Sequence, residues 1–239
     1  MLPALCAFRL PIPLGGSSNH FRTAILREAG AWDPYNVTED ADLGIRLARC
    51  GYSADVISST TYEEAPVRLW PWLKQRTRWF KGWIQTWCVH MRHPARLWRE
   101  TGPAGFLAFQ FMLFGTVLAA LIHPVGLAVL AWFLVFGAPT FAEPLAYIHF
   151  ASLLSGYAVS AALGIAGLKR RGLLATAWVL LLMPLHWLLL SAAAWRALFQ
   201  FCFDRYSWGK DRARQGADVS SRCATEKEMR GIARWRDHK

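Results

Sequence analysis

Two short runs hold the side chains with the most chemical capacity. Thr38-Glu39-Asp40-Ala41-Asp42 gathers three carboxylates where a helix begins, and Gln75-Arg76-Thr77-Arg78-Trp79 sets an amide, cations and an indole close together. A carboxylate within hydrogen-bond reach of an attacking hydroxyl can take its proton, and a guanidinium can offset the charge of an anionic leaving group. A plainer account of the first run also exists: acids in a first turn complement the helix dipole, and Thr38 can cap. In the second run, residues three and four apart share a helix face, so Gln75, Arg78 and Trp79 sit side by side. The aromatic stripe Trp72, Trp79, Trp83 and Trp87 equally suits an amphipathic helix at a membrane surface, with Arg and Lys in the polar layer.

Upstream lies Leu14-Gly15-Gly16-Ser17-Ser18-Asn19-His20, a loop of small residues. Such a loop lets backbone approach a ligand, and the N–H groups around Gly16, Ser17 and Asn19 can face phosphate or sugar oxygens; it also reads as a simple turn. His90 and His93 have a metal-like spacing but no third ligand nearby, so a solvated or lipid-facing pair is the better reading. The five cysteines are scattered without a C-x-x-C pair, as reduced thiols would be.

The elements that must position these groups follow from pattern. Ala4 to Ile12 is an apolar run that reads as a buried strand, and Phe21 to Ala29 as a short helix stopped by Gly30. Trp32-Asp33-Pro34-Tyr35-Asn36 is a turn leading into a helix from Thr38, with Leu43, Leu47 and Ala48 on one face and Gly51 as its left-handed stop. Tyr52 to Ile57 reads as a second strand, and Leu69 to Met91 as a long helix.

Beyond that helix the chain turns apolar. The whole carries 54% hydrophobic residues and a net charge of +11 over 239 residues, but residues 101–142, 144–168 and 172–195 contain no Asp, Glu, Lys or Arg. Crossing ~30 Å of hydrocarbon takes ~20 helical residues, so these stretches predict a multi-pass membrane protein in contact with the lipid bilayer. About four spans fit: 104–122, 124–138, 145–168 and 173–192, with His123-Pro124 as a tight turn. The basic residues from Arg68 to Arg99, unrelieved by acid, read as anchoring to an anionic surface; beside spans they argue against nucleic acid as the partner. Three regions result: 1–100 with an interfacial helix over 69–92, 101–203 in the membrane, and a charged cytoplasmic tail over 204–239.

Taken jointly, Thr38-Glu39-Asp40 and Gln75-Arg76-Thr77-Arg78-Trp79 resemble the second half of a processive family 2 glycosyltransferase, the cellulose-synthase-like group of bacterial inner-membrane polysaccharide synthases. The flanks agree: Gly15 to Arg22, Gly30-Ala31-Trp32-Asp33, and Asp42 to Leu47. The resemblance implies an α/β fold, the C-terminal portion of a GT-A type catalytic domain on the cytosolic face, followed by an α-helical transmembrane bundle. It implies transfer of a sugar from a nucleotide-diphosphate donor to a growing β-linked glycan acceptor, with inversion. Carried over, Asp40 is the general base and Glu39 orients the site beside Thr38. Gln75 and Arg78 lie near the donor diphosphate, and Trp79 stacks on the acceptor sugar.

The family also uses Mg²⁺ or Mn²⁺ on a D-x-D motif, and here the sequence departs from it. The first acid is Glu28, and no carboxylate precedes the Gly15-Gly16 loop; Asp40 and Asp42 spell D-x-D but belong to the acceptor-side motif. The expectation is a chain without metal ligands of its own, inactive in isolation, whose donor-binding half comes from a missing N-terminal segment or a partner polypeptide. The alternative is a non-catalytic channel subunit completed by such a partner.

Overall fold

The computed structural model describes residues 2–57, 59, 61–137 and 143–203. The expected tail over 204–239, with Trp208-Gly209-Lys210, lies outside the described residues. Two units divide after Leu198. Of the second, only the last turn of a helix is described, with the Phe199 and Phe203 rings 4.7 Å apart.

Helices make up the fold. They are α1 (Leu2–Ala7), α2 (Thr23–Glu28), α3 (Glu39–Arg49), α4 (Leu69–His90), α5 (Pro94–Phe109), α6 (Thr116–Phe136), α7 (Glu143–Arg170) and α8 (Met183–Phe203). A π-helical turn, Gln110–Gly115, joins α5 to α6, and a 3₁₀ segment, Leu174–Leu182, precedes α8.

No strand forms among the described residues, which overturns the α/β expectation. The run from Ala4 begins as helix α1 and continues as irregular chain, and Tyr52 to Ile57 is irregular. A strand is stabilised only by a paired neighbour, and among the described residues neither segment meets one. Residues 12–14 instead cross α3 at Gly44, where the Ile12 carbonyl lies against the glycine Cα and the Leu14 amide would be 3.1 Å from an added Cβ.

Helix α3 therefore buries more than one stripe: Ala41, Asp42, Leu43, Gly44, Ile45 and Leu47 are all buried. Gly51, at φ 83°, supplies the left-handed residue that ends it. On its other side Ile45 packs with Leu97 of α5, Phe109 and Leu113, and with the indoles of Trp83 and Trp87 of α4. Each such large apolar side chain contributes ~1.5–3 kcal/mol on burial.

Helix α4 is the hub. Phe80 sits among Val117 and Ala120 of α6 and Ala193, Ala194 and Ala197 of α8. The Trp87 indole stacks on Phe114 at 4.7 Å and donates to Gln110 Oε1 at 2.8 Å, and Gln110 in turn reaches Met91 Sδ at 3.0 Å. The lower part of the tryptophan stripe thus joins α4 to the following helices. Gly102, at φ 70°, bends α5 just before Pro103 and redirects the chain into its apolar part.

Among the described residues, three helices are long and apolar enough to cross a membrane: Pro94–Phe136, Pro144–Arg170 and Leu174–Phe203. They carry exposed Leu, Ile, Val, Phe and Trp along their lengths, as lipid-facing helices do. The turn expected at His123-Pro124 does not form, for Pro124 lies inside an unbroken α6. A proline removes one backbone donor, and in a span the neighbouring helices hold the segment: His123 Nε2 meets the Tyr157 hydroxyl at 3.0 Å, and Trp195 Nε1 donates to the Leu121 carbonyl at 3.1 Å.

Gly44→Ala is expected to destabilise the chain by roughly 1–3 kcal/mol, because the new methyl meets backbone that cannot rotate away. A lowered thermal unfolding midpoint in detergent checks it; an unchanged midpoint would mean the 12–14 segment lifts off α3 freely.

Candidate active site

The site forms where the start of α3 faces α4. The loop over Asn36 to Thr38 is fixed first: Asn36 Oδ1 accepts from the Thr38 amide at 3.0 Å, and Asn36 Nδ2 donates to Thr86 Oγ1 of α4 at 2.9 Å, with both side chains buried. Thr38 then lies directly on Gly82, whose missing side chain makes room for it. The Thr38 hydroxyl is consumed by this packing and does not cap: its oxygen is buried and unpartnered among the described residues. The Ala41 amide bonds the neighbouring Asp40 Oδ1 at 2.8 Å instead.

This places Asp40, half-buried, at the mouth of the helix. An added Cβ on Gly16 would stand 3.3 Å from Asp40 Oδ2, so the small-residue loop closes over the acid. The loop is tied down elsewhere: Ser17 bonds Glu63, Ser18 meets Thr61 at 2.7 Å, and Asn19 bonds the Gly15 carbonyl. Burial raises the Asp40 pKa above the ordinary carboxylate value, and Glu39 pushes the same way, while the Ala41 amide and the Arg78 charge pull it back. Gly82 and Arg78 lie on the α4 face that also carries Gln75 and Trp79, by the spacing of three, four and seven. The structure thus brings together Gly16, Thr38, Glu39, Asp40 and Arg78. Ser17 spends its side chain on Glu63 and Asn19 on the Gly15 carbonyl within the loop. Trp79 is half-buried, with the Arg76 guanidinium 4.2 Å from its ring centroid, so one indole face already has a partner.

Asp42 has a different role from Asp40. Residues two apart on a helix point to opposite sides, and Asp42 turns inward. Its Oδ2 receives Arg46 Nε at 2.7 Å and its Oδ1 lies 3.0 Å from His90 Nε2. Burial opposes its ionisation, but the His90 hydrogen bond and the charges of His90 and Arg46 outweigh it and hold the carboxyl below the usual range. Arg46 also clamps the Ala29 and Ala31 carbonyls at 2.5 and 2.6 Å, fixing a bend in which Gly30 and Ala31 both have positive φ. His90 Nδ1 meets Arg49 at 2.8 Å, and Arg49 pairs with Glu100 of α5 at 2.6 Å.

His90 is therefore a buried structural residue and not one of a solvated pair; His93 alone is exposed. The signal available in sequence was its position, since the Thr86 and His90 spacing continues the face that meets the Asn36 loop. Asn36, Thr86, Arg46 and Gly82 were likewise missed, because nothing local marks their long-range partners.

These residues do not fit a divalent cation. Asp42 has both oxygens engaged, and among the described residues no group of three His, Cys, Asp or Glu could hold a metal ion.

A family profile described as glycosyl transferase family group 2 matches residues 3–203. The chain belongs to that family. It resembles the probable glycosyltransferase YdaM of Bacillus subtilis (strain 168), at 34% identity over 68 residues, which is 28% of this chain. The chain covers 16% of that relative's length. No solved structure matches. The acid, the Arg78 cation and the glycine loop of this family member thus sit around one helix start.

The Asp42 contacts give this chain an acid-side weakness. With its pKa depressed in the folded chain, the stabilisation is complete above the unfolded value of about 4 and is lost as pH falls through the lower folded value. Asp42→Asn is expected to cost of order 3 kcal/mol at neutral pH and to flatten the fall toward acid. Unfolding midpoints measured from neutral pH down to about pH 3 test both; equal slopes for the two proteins would exclude Asp42 as the source.

Proposed function

We propose that this chain is the acceptor-side and membrane part of a processive, cellulose-synthase-like glycosyltransferase of the bacterial inner membrane, with α3 and α4 on the cytosolic side. It transfers a sugar from a nucleotide-diphosphate donor to a β-linked glycan, inverting the anomeric centre. The observation that carries the reading is Asp40 beside the Gly16 loop and within reach of the Arg78 charge. A carboxylate with a raised pKa is a better base toward the acceptor hydroxyl than an ordinary one. Glu39 sets its charge environment. Arg78, exposed on α4 with Gln75 on the same face, is suited to the diphosphate of the leaving nucleotide. The remaining face of the Trp79 indole suits stacking on the acceptor sugar, and the three apolar helices suit a path for the product.

Mg²⁺ or Mn²⁺ under the diphosphate needs ligands that the described residues do not supply. That observation favours a second component carrying the donor-side acids, whether a further segment of the same protein or a partner chain. The same observation supports the alternative of a non-catalytic channel subunit, in which Asp40 has no chemical task.

Two experiments separate these readings. The purified chain with Mg²⁺ or Mn²⁺ and nucleotide sugars is expected to give negligible transfer alone; robust turnover would remove the need for a second component. In membranes of the native host, Asp40→Asn is expected to lower sugar incorporation by ~10²–10⁴-fold, as loss of a positioned base does. Incorporation at wild-type level would leave the channel-subunit reading. The acid limb reports the same carboxylate: activity rises with pH as Asp40 ionises. Arg78→Gln, which removes an opposing charge, moves that limb to higher pH, and Glu39→Gln moves it lower.

A further inference from the structure

The start of α4 carries cations and indoles in two clusters on different sides of the helix, and the transferase reading does not use the one around Trp70. Trp70, exposed near the start of α4, has Lys74 Nζ 5.8 Å and Arg196 Cζ 4.7 Å from its ring centroid, the one from α4 and the other from α8. Arg76, on the same helix, lies 5.4 Å from the Trp72 ring and 4.2 Å from that of Trp79. The Trp72 ring in turn meets the His186 ring of α8 at 5.6 Å. Arg76 Nε and Arg196 Nη1 are buried without a hydrogen-bond partner among the described residues. None of the ion pairs among the described residues includes Lys74, Arg76 or Arg196. Residues 68–99 and 172–195 contain no acid at all.

Stacking on indoles accounts for part of the stability of these cations, but it leaves guanidinium N–H groups unsatisfied in a dry setting. Like charges around one ring also repel at the low effective dielectric near a packed surface. An anion resolves both, and the surroundings indicate which kind. Leu69, Trp70 and Trp195 are exposed apolar side chains next to the cations, and α8 belongs to a helix apolar enough to cross a membrane. An anion that carries apolar chains suits this setting better than a free one. Planar guanidinium groups match phosphate oxygens in pairs.

We propose that the crossing of α4 and α8 binds the phosphate group of an anionic phospholipid, held by Lys74 and Arg196 beside the Trp70 ring.

The test reads lipid retention and does not depend on sugar transfer. The full chain, purified in uncharged detergent, is equilibrated with phosphatidylcholine alone or mixed with phosphatidylglycerol, and retained lipid is counted by native mass spectrometry. Phosphatidylglycerol is expected to be retained at least several-fold over phosphatidylcholine. Arg196→Gln is expected to lose most of that preference. Lys74→Gln, on an exposed side chain that poses little risk to folding, is expected to lose part of it. Arg92→Gln, an exposed cation just beyond the other end of α4, is expected to retain lipid as the unmodified chain does. Equal retention of the two lipids overturns the proposal, and so does an equal loss in Arg92→Gln, which would signify diffuse attraction to a basic surface. Displacement of the lipid by inorganic pyrophosphate or a nucleoside diphosphate at comparable concentration would assign the site to a free phosphate and overturn the lipid source.

Discussion

A buried carboxylate organises the water-facing half of this chain. Asp42 holds Arg46 on one oxygen and His90 on the other, and each partner extends the hold. Through Arg46 it fixes the carbonyls around the Gly30-Ala31 bend, and through His90 and Arg49 it reaches Glu100 on α5. Leaving any of these charges unpaired in the interior costs several kcal/mol, so the loop, α3, α4 and α5 are stable only in one mutual arrangement. That arrangement presents Asp40 outward. The two aspartates of the D-x-D spelling thus divide the labour, one building the site and the other furnishing it.

Helix α4 couples this polar assembly to the apolar one. One face carries Arg78, Gly82, Thr86 and His90, which meet Asp40, Thr38, Asn36 and Asp42 in turn. Another carries Phe80 and Trp83, packed with the helices that follow. A helix that is apolar on one stripe and polar on the other must bury the first and satisfy the second. Here both demands are met by structure and not by solvent, which is why Lys81 and His90 can be buried in a helix so rich in cations.

Much of this was readable from residues alone. The stops at Gly30 and Gly51 are left-handed, as the position of each glycine indicated, and α4 spans Leu69–His90 where the aromatic stripe predicted a helix. The closeness of Gly16 to Asp40, by contrast, has no local pattern that marks it. The strands were misread because a short apolar run has no period of its own, and whether it pairs depends on neighbours that lie elsewhere. Thr38 was misread as a cap because local preference favours one, whereas packing on Gly82 claimed the side chain. Pro124 was misread as a turn because proline disfavours helix interiors in water, and the surrounding helices relieve that penalty in a span.

The contact of Thr38 with Gly82 has a mechanical consequence. Phe80, two positions before that glycine, is wedged among alanines of α6 and α8, and no soft layer separates the two contacts. Close-packed interiors transmit displacement with little loss. A slide of those apolar helices is therefore geared through a single rod, about one helix thick, to the tip that carries Asp40. The orientation of the acid at that tip would then follow any such slide.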